Sequence, residues 1–369
     1  MKIARVEAIV VSVPLEKPKK ISTRPIKSRE YLITKIVANN DIIGWGLTFG
    51  GLESKLIIEK ELAPLLLNQD PDAVEFLWNQ MFQKTIRWGR RGIYIRAISA
   101  LDMALWDIRC KNYGLPLYKL LGGTNKRIPV YASGGYYRFE DGVDEVESVA
   151  EEMQKYVNQG FTAAKMKVGI DLQLDIDRMR AAKNILGSQR RLFIDVNNGW
   201  HLNQLTPKII SQLEEIGIDW IEEPFMPDAI EENIQLKERT NIPIANGEIL
   251  CTRWDFKQLL DSKSCDIWQP DVTVIGGISE WNKILAIASV WGIAVAPHAM
   301  HEIHSQLASA NPNSEIYIIE YFDTTGDIVN YGKLLTSKLI AKDGFLNPSE
   351  VPGVGLEFDQ EKLLQYQII

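Results

Sequence analysis

Between residues 163 and 248 the chain reads AAKMKV (163–168), LFIDVNN (192–198), WIEEP (220–224) and IPIANGE (242–248). Each short apolar run closes on ionisable side chains: Lys165 and Lys167, then Asp195, then Glu222, then Glu248. Runs of this length and composition, bounded by turn residues, read as buried strands. Working outward, Ile128–Tyr131 precedes them, and Ile267-Trp268, Ile293–Ala296 and Ile316–Ile319 follow. Amphipathic helical stretches lie between, for example Val146–Val157, Ile176–Ile185 and Ile278–Val290. Eight strand-like runs, one about every 22 to 35 residues and separated by helices, predict an α/β fold with a closed parallel (β/α) barrel. The rival is an open doubly wound sheet, which calls for a Gly-rich loop after an early strand; the sequence shows none.

Ahead of the barrel, Lys2–Val13, Glu30–Ala38 and Asp41–Phe49 read as strands, with Asn39-Asn40-Asp41 as a hairpin turn. Helical patterns cover Leu52–Leu67, Asp72–Phe82 and Ile93–Asn112, the last with Met103 and Trp106 as core packing. From Leu339 onward Gly344, Pro348, Pro352, Gly353 and Gly355 break the rhythm, and this tail is expected to return to the first domain. The expected division is an α+β cap over 1–125, a barrel over 126–335 and a returning segment over 336–369.

Composition narrows the function. The 369 residues are 24% charged and 46% apolar, with a net charge of −7 and no acidic or basic tail. Nucleic acid is therefore not the expected partner. No apolar run of 18 or more residues occurs, so no membrane span is expected, and the N-terminus reads as a strand rather than a signal peptide. Cys110, Cys251 and Cys265 are scattered without C-x-x-C spacing, which suits buried thiols and a reducing cytoplasm.

The strand ends carry the chemistry, because barrels of this kind place their sites there. One lysine at a strand end is ordinarily a solvated rim charge, and one aspartate after a strand is ordinarily a helix N-cap. The set reads differently. Asp195, Glu222 and Glu248 fall 27 and 26 residues apart, one acid per barrel unit on three adjacent strands. Three converging carboxylates repel unless a cation sits between them, and oxygen-only ligands favour a hard ion such as Mg²⁺. Lys165 and Lys167, two apart on a strand, face the interior together and are expected to lower each other's pKa, making a neutral lysine base available. Asp271 and His298 end adjacent strands, so the carboxylate can fix the imidazole tautomer and leave its other nitrogen as a base. Glu320 is a candidate proton-donating acid beside the charge that builds up on an enediolate. His201, in the loop after Trp200, is a candidate substrate contact, whereas His301 and His304 read as supporting or surface residues.

With these motifs in order, the sequence resembles the enolase superfamily in its mandelate-racemase-like subgroup. AISALDMALWD (97–107), Gly276-Gly277 and Pro297-His298 complete the match, which spans essentially the whole chain. The resemblance implies a modified TIM barrel under an N-terminal α+β cap, and an enediolate chemistry that is general to such sites. It implies one Mg²⁺ per subunit on Asp195, Glu222 and Glu248, Lys167 as one base, and His298 with Asp271 as the other. Lys165 and Glu320 would meet the substrate carboxylate, with Asn197, Arg24 and His201 as further substrate contacts. The loops near Lys17–Lys27 and Trp45–Gly51 would select the substrate, although Leu47 stands where many relatives carry Glu. A lysine replaces Asp271 in the cycloisomerase subgroup, which speaks against cycloisomerase and dipeptide-epimerase readings. A homo-oligomer is implied as well.

The expected activity is dehydration of an acid sugar, an aldonate or aldarate, to a 2-keto-3-deoxy acid. A racemase or epimerase of an α-substituted acid would use the same residues. A non-catalytic, metal-stabilised binding barrel is the alternative of another class, and it has no use for two bases beside a metal triad. The cluster Lys17, Lys19, Lys20, Arg24 and Lys27 reads either as a solvated loop or as a contact for a second carboxylate.

Overall fold

Apolar alternation in the first fifty residues builds an antiparallel sheet of β1 (Ile3–Lys20), β2 (Pro25–Ala38) and β3 (Ile43–Phe49). The computed structural model describes residues 1–138, 143–311, 316–323 and 327–368. β1 and β2 extend beyond the predicted strands as a hairpin arm, with a register irregularity between Pro14 and Lys19. Most of the arm is exposed, so no period of two marks it in the sequence. Its tip is tied to the barrel: Ser22 Oγ donates to Val196 O at 2.6 Å, and Lys20 and Tyr137 exchange backbone bonds. The stretch Trp45–Gly51, expected as a substrate loop, is largely β3, and Trp45 and Leu47 lie in the core. Leu47 therefore offers no substrate contact.

The helix predicted over Leu52–Leu67 is interrupted by a π-turn at Ile58–Leu62, just before Pro64, which lacks the N–H a regular helix would need. The helix Ile93–Asn112 forms as predicted and lies against β3. Gly44 and Gly46 make that approach possible. A Cβ on Gly46 would sit 1.9 Å from the Ala100 carbonyl oxygen, and one on Gly44 would sit 2.1 Å from that of Ala104. Both obstacles are helix backbone, so neither can swing away. Gly46→Ala is expected to cost about 3 kcal/mol of stability; an unchanged urea midpoint would refute this packing.

Buried acids of the same helix bind three parts of the chain together. Asp102 accepts from the backbone and hydroxyl of Ser279, and Asp107 accepts from Trp45 N and Val354 N at 2.9 Å each. The tail returns to the N-terminal residues, where Leu117 N donates to Gly353 O and Ile368 N to Val10 O.

The barrel strands are β4 (Ile128–Gly134), β5 (Ala163–Lys167), β6 (Arg191–Asp195), β7 (Trp220–Glu222) and β8 (Ile244–Asn246). They continue with β9 (Ile267–Trp268), β10 (Ala294–Val295) and β11 (Ile319–Tyr321). They pair in parallel in the order β10-β9-β8-β7-β6-β5-β4-β11. A parallel bridge between Val295 and Ile316, with Tyr317 N donating to Val295 O, closes the ring. A short β12 (Phe345–Leu346) adds antiparallel to β4. Inside, Phe193 stacks on Trp220 and Tyr131 meets both edge-on, so the barrel is a packed floor rather than a pore.

Candidate active site

Strand register assembles the site. Lys167, Asp195 and Glu222 are successive partners across β5, β6 and β7, so one row of the sheet delivers an ammonium and two carboxylates to the rim. Left-handed backbone at Asn197, Asn198 and Glu223 then turns the chain sharply out of the strands. At Glu223 this turn separates neighbouring acids. Glu222 faces the barrel centre, whereas Glu223 accepts from Asn198 Nδ2 at 3.1 Å. Carboxylate oxygens of Asp195, Glu222 and Glu248 all lie within 4.8 Å of one another. Glu248 Oε2 is buried without a hydrogen-bond partner. An all-carboxylate set with a spare buried oxygen fits a hard divalent cation.

Each of these acids faces a cation from the candidate base set. Lys165 Nζ pairs with Glu222 and, at 2.8 Å, with Glu320; Lys167 Nζ pairs with Asp195; His298 Nε2 is 3.5 Å from Glu248. Gln269 Nε2 donates to the other oxygen of Glu222 at 2.6 Å. Burial opposes the lysine charges, but Glu222 and Glu320 around Lys165, and Asp195 beside Lys167, outweigh it and raise both pKa values. The expected mutual lowering of the two lysines is present but smaller than the pull of the acids. Burial pushes Glu222 up to about 8 against the effect of Lys165, with Asp195, Glu320 and Glu248 adding to it. That crowding is what a bound cation relieves.

Glu320 stands among cations in this arrangement. Burial raises its pKa, but Lys165, His298 and Lys167 overcome that and lower it. Its Oε2 accepts from Ala299 N at 2.8 Å. Lys165 is fully buried, standing 5.5 Å from the Tyr131 ring beneath the acids.

Asp271 does two things at once. Its Oδ1 accepts from Thr273 N and Oγ1 within the turn after β9, the next helix being capped at Gly276, while Oδ2 meets His298 Nδ1 at 2.8 Å. Burial works against the charge on His298, but Glu248, Asp271 and Glu320 together push its pKa up to about 10. His304, buried, ties the same two segments together: Nδ1 pairs with Ala299 O at 2.8 Å and Nε2 accepts from Val272 N. Asp271→Asn keeps the turn bonds to Thr273 but presents an amide N–H₂ to Nδ1. This forces the proton onto Nε2 in the neutral ring and removes the carboxylate that favours the charged form. Turnover is expected to fall at least about 100-fold, with the His298 limb of the pH–rate profile moved to lower pH. An unchanged profile would leave Asp271 only its bonds within the turn.

A cavity of about 330 Å³ opens over this rim, lined by Lys167, Asn197, Glu248, Asp271 and His298 on the barrel side. Arg24, at the arm's tip, lines its outer wall, together with Arg29 of β2 and Arg96 of the helix Ile93–Asn112. Neither Arg29 nor Arg96 stood out in the sequence, because nothing in local spacing shows that a cap residue ends above a barrel. Of the basic cluster, Lys19 lines a neighbouring cavity and only Arg24 reaches this one. His201 lies on the surface, outside the wall, where a short 3₁₀ turn after buried Trp200 carries it away.

Comparison with known proteins agrees with this geometry. Residues 5–122 match the family described as "Mandelate racemase / muconate lactonizing enzyme, N-terminal domain", and residues 148–362 match "Enolase C-terminal domain-like". An arabinonate dehydratase of Saccharolobus solfataricus is 37% identical over 73% of this chain and 72% of its own. A D-galactarolactone cycloisomerase of Agrobacterium fabrum is 29% identical over 100% of this chain and 99% of its own. The crystal structure of L-talarate/galactarate dehydratase from Salmonella typhimurium, liganded with Mg and L-lyxarohydroxamate, superimposes with a TM-score of 0.88 at 26% identity. It covers 100% of this chain and 93% of its own.

Proposed function

Because the chain belongs to the mandelate racemase/muconate lactonizing enzyme family, with its enolase-like C-terminal domain, we propose that it is a Mg²⁺-dependent dehydratase converting an acid sugar to a 2-keto-3-deoxy acid. The observation that carries the reading is the order of groups around the ring. Lys167 on β5 and His298 after β10 flank the acids delivered by β6, β7 and the turn after β8, and both line one cavity. A substrate carboxylate beside a cation held by the acid triad would thus have a proton-transfer group on either side of its α-carbon. The dehydratases among the relatives, and the magnesium in a solved one, support the same choice.

Asp195, Glu222 and Glu248 would hold the Mg²⁺, whose charge stabilises the enediolate when bound. Lys165 supplies a further fixed positive charge from below, kept in place by Glu320 and closed off from water by the aromatic floor. Whichever of Lys167 Nζ and His298 Nε2 faces the α-proton removes it, and the other protonates the departing 3-hydroxyl. Substrate configuration at the two carbons decides the assignment. Asn197 donates its backbone N–H to Asp195 Oδ1 at 2.9 Å, and its own buried Oδ1 is unpaired at the cavity wall, ready for a substrate hydroxyl. Three buried unpaired cysteines fit action in the cytoplasm.

A D-galactarolactone cycloisomerase also stands among the relatives that match the whole chain, so cycloisomerisation is tested beside dehydration. The discriminating experiment is a panel of aldonates, aldarates and their lactones with Mg²⁺, read by mass and by keto-acid formation. Loss of one water with a new keto group is the expected result. Products of unchanged mass would replace this reading with racemisation or cycloisomerisation.

A further inference from the structure

We propose that the outer wall of the cavity is a second anion site, formed by Arg96 and Arg29 with Arg24 above them, so that the substrate is an acid sugar carrying a second anionic group at its far end. The inference rests on the dehydratase reading only for the identity of the reacting end.

The argument starts from charge. Arg96 and Arg29 are half-buried, and the wall around them is apolar, with Ile21, Ile26, Phe49, Ile93 and Ile249. Among the described residues, the guanidiniums of Arg96 and Arg24 make no hydrogen bond or ion pair, and Arg29 makes one hydrogen bond, to Ile328 O at 3.1 Å. Arginine withdrawn from water is ordinarily paired. The acids lining the same cavity cannot serve. Asp271 is taken by His298 and Thr273, and Glu248 belongs to the acid triad and faces His298. The cavity lining therefore carries three arginines of the cap without an anion, beside the acids and bases of the barrel rim. A guanidinium fork matches a carboxylate or phosphate bidentately, and low-dielectric walls strengthen the contact. The shared chemistry is a dianionic acid sugar, either an aldarate or an aldonate phosphorylated at its last carbon.

The three arginines come from three places: the arm tip, β2 and the first turn of the helix Ile93–Asn112. The arm's latch through Ser22, Lys20 and Tyr137, the Asp102–Ser279 bonds and the helix's close packing on β3 bring them over one barrel. Specificity is thus carried by the cap and chemistry by the barrel.

The test is equilibrium binding with Mg²⁺ present, using Lys167→Ala protein so that ligands persist. Hexonates, hexarates of the same configuration and 6-phosphohexonates are compared, with and without Arg96→Gln or Arg29→Gln. The expected result is that a dianion binds about tenfold tighter than its monoanionic counterpart. Arg96→Gln should close most of that gap, and Arg96→Lys should restore part of it. The tighter of the hexarate and phosphohexonate arms identifies the second anion. Equal binding of mono- and dianions, or a gap unmoved by either glutamine variant, overturns the proposal. Keto-acid release by the wild-type protein is followed in parallel. A dianion preference without keto acid supports the anion site while removing the dehydratase reading; keto acid without any preference overturns the anion site alone.

Discussion

Stripped of divalent cations by a chelator, the protein is expected to lose keto-acid formation by more than about 10³-fold, and added Mg²⁺ is expected to restore it. The reason is the charge that accumulates when a proton leaves carbon next to a carboxylate, which Lys165 alone cannot balance. In the arrangement described here Asp195 holds Lys167, Glu222 holds Lys165, and Glu248 faces His298. A dication among the three acids weakens that hold on the bases as well as stabilising the enediolate. Glu248→Gln removes one of three charged ligands and should weaken Mg²⁺ binding at least about 10- to 100-fold, the scale found for losing a group that merely supports a ligand. Undiminished turnover in a rigorously metal-free sample would refute the assignment of the triad.

His298→Asn and Lys167→Ala should each lower turnover by about 10²- to 10⁴-fold while Mg²⁺ binding persists. Neither residue belongs to the acid triad, and losing the Lys167 ammonium frees an oxygen of Asp195. The two variants should differ in deuterium oxide. The one lacking the proton-abstracting group should leave the α-proton of recovered substrate unexchanged. The other should continue to exchange it while elimination stops. Near-wild-type turnover in both variants would show that the flanking groups are not the bases.

How much of this was legible in the sequence depends on the range of the interactions involved. The helix Ile93–Asn112 formed with its predicted bounds because a buried amphipathic helix carries its pattern along its own length. The arm of β1 and β2 did not show itself, since a mostly solvated hairpin has no face to bury. Gln269, just past β9, bonds Glu222 on β7, a contact that depends on pairing through β8 and leaves no mark in local spacing. The surroundings of Glu320 were hidden for a related reason. Against its burial, its pKa is lowered by Lys165, His298 and Lys167, which arrive from two other strands.

By itself the sequence determined the barrel, the acid at each of three strand ends, and the lysine pair and histidine that flank them. Strand period, unit spacing and chain order are local quantities, and a closed parallel ring turns them directly into a rim. The tertiary structure adds the means by which Glu222 and not Glu223 faces the centre, one left-handed backbone turn at Glu223. It also decided what stands across the cavity from the bases. Arg24, Arg29 and Arg96 are scattered over seventy-odd residues of an exposed arm, a strand and a helix. They converge because Gly44 and Gly46 let helix and sheet approach closely and because Ser22 pins the arm to the barrel. Such a meeting of surfaces is fixed by packing between elements, which no period within an element records.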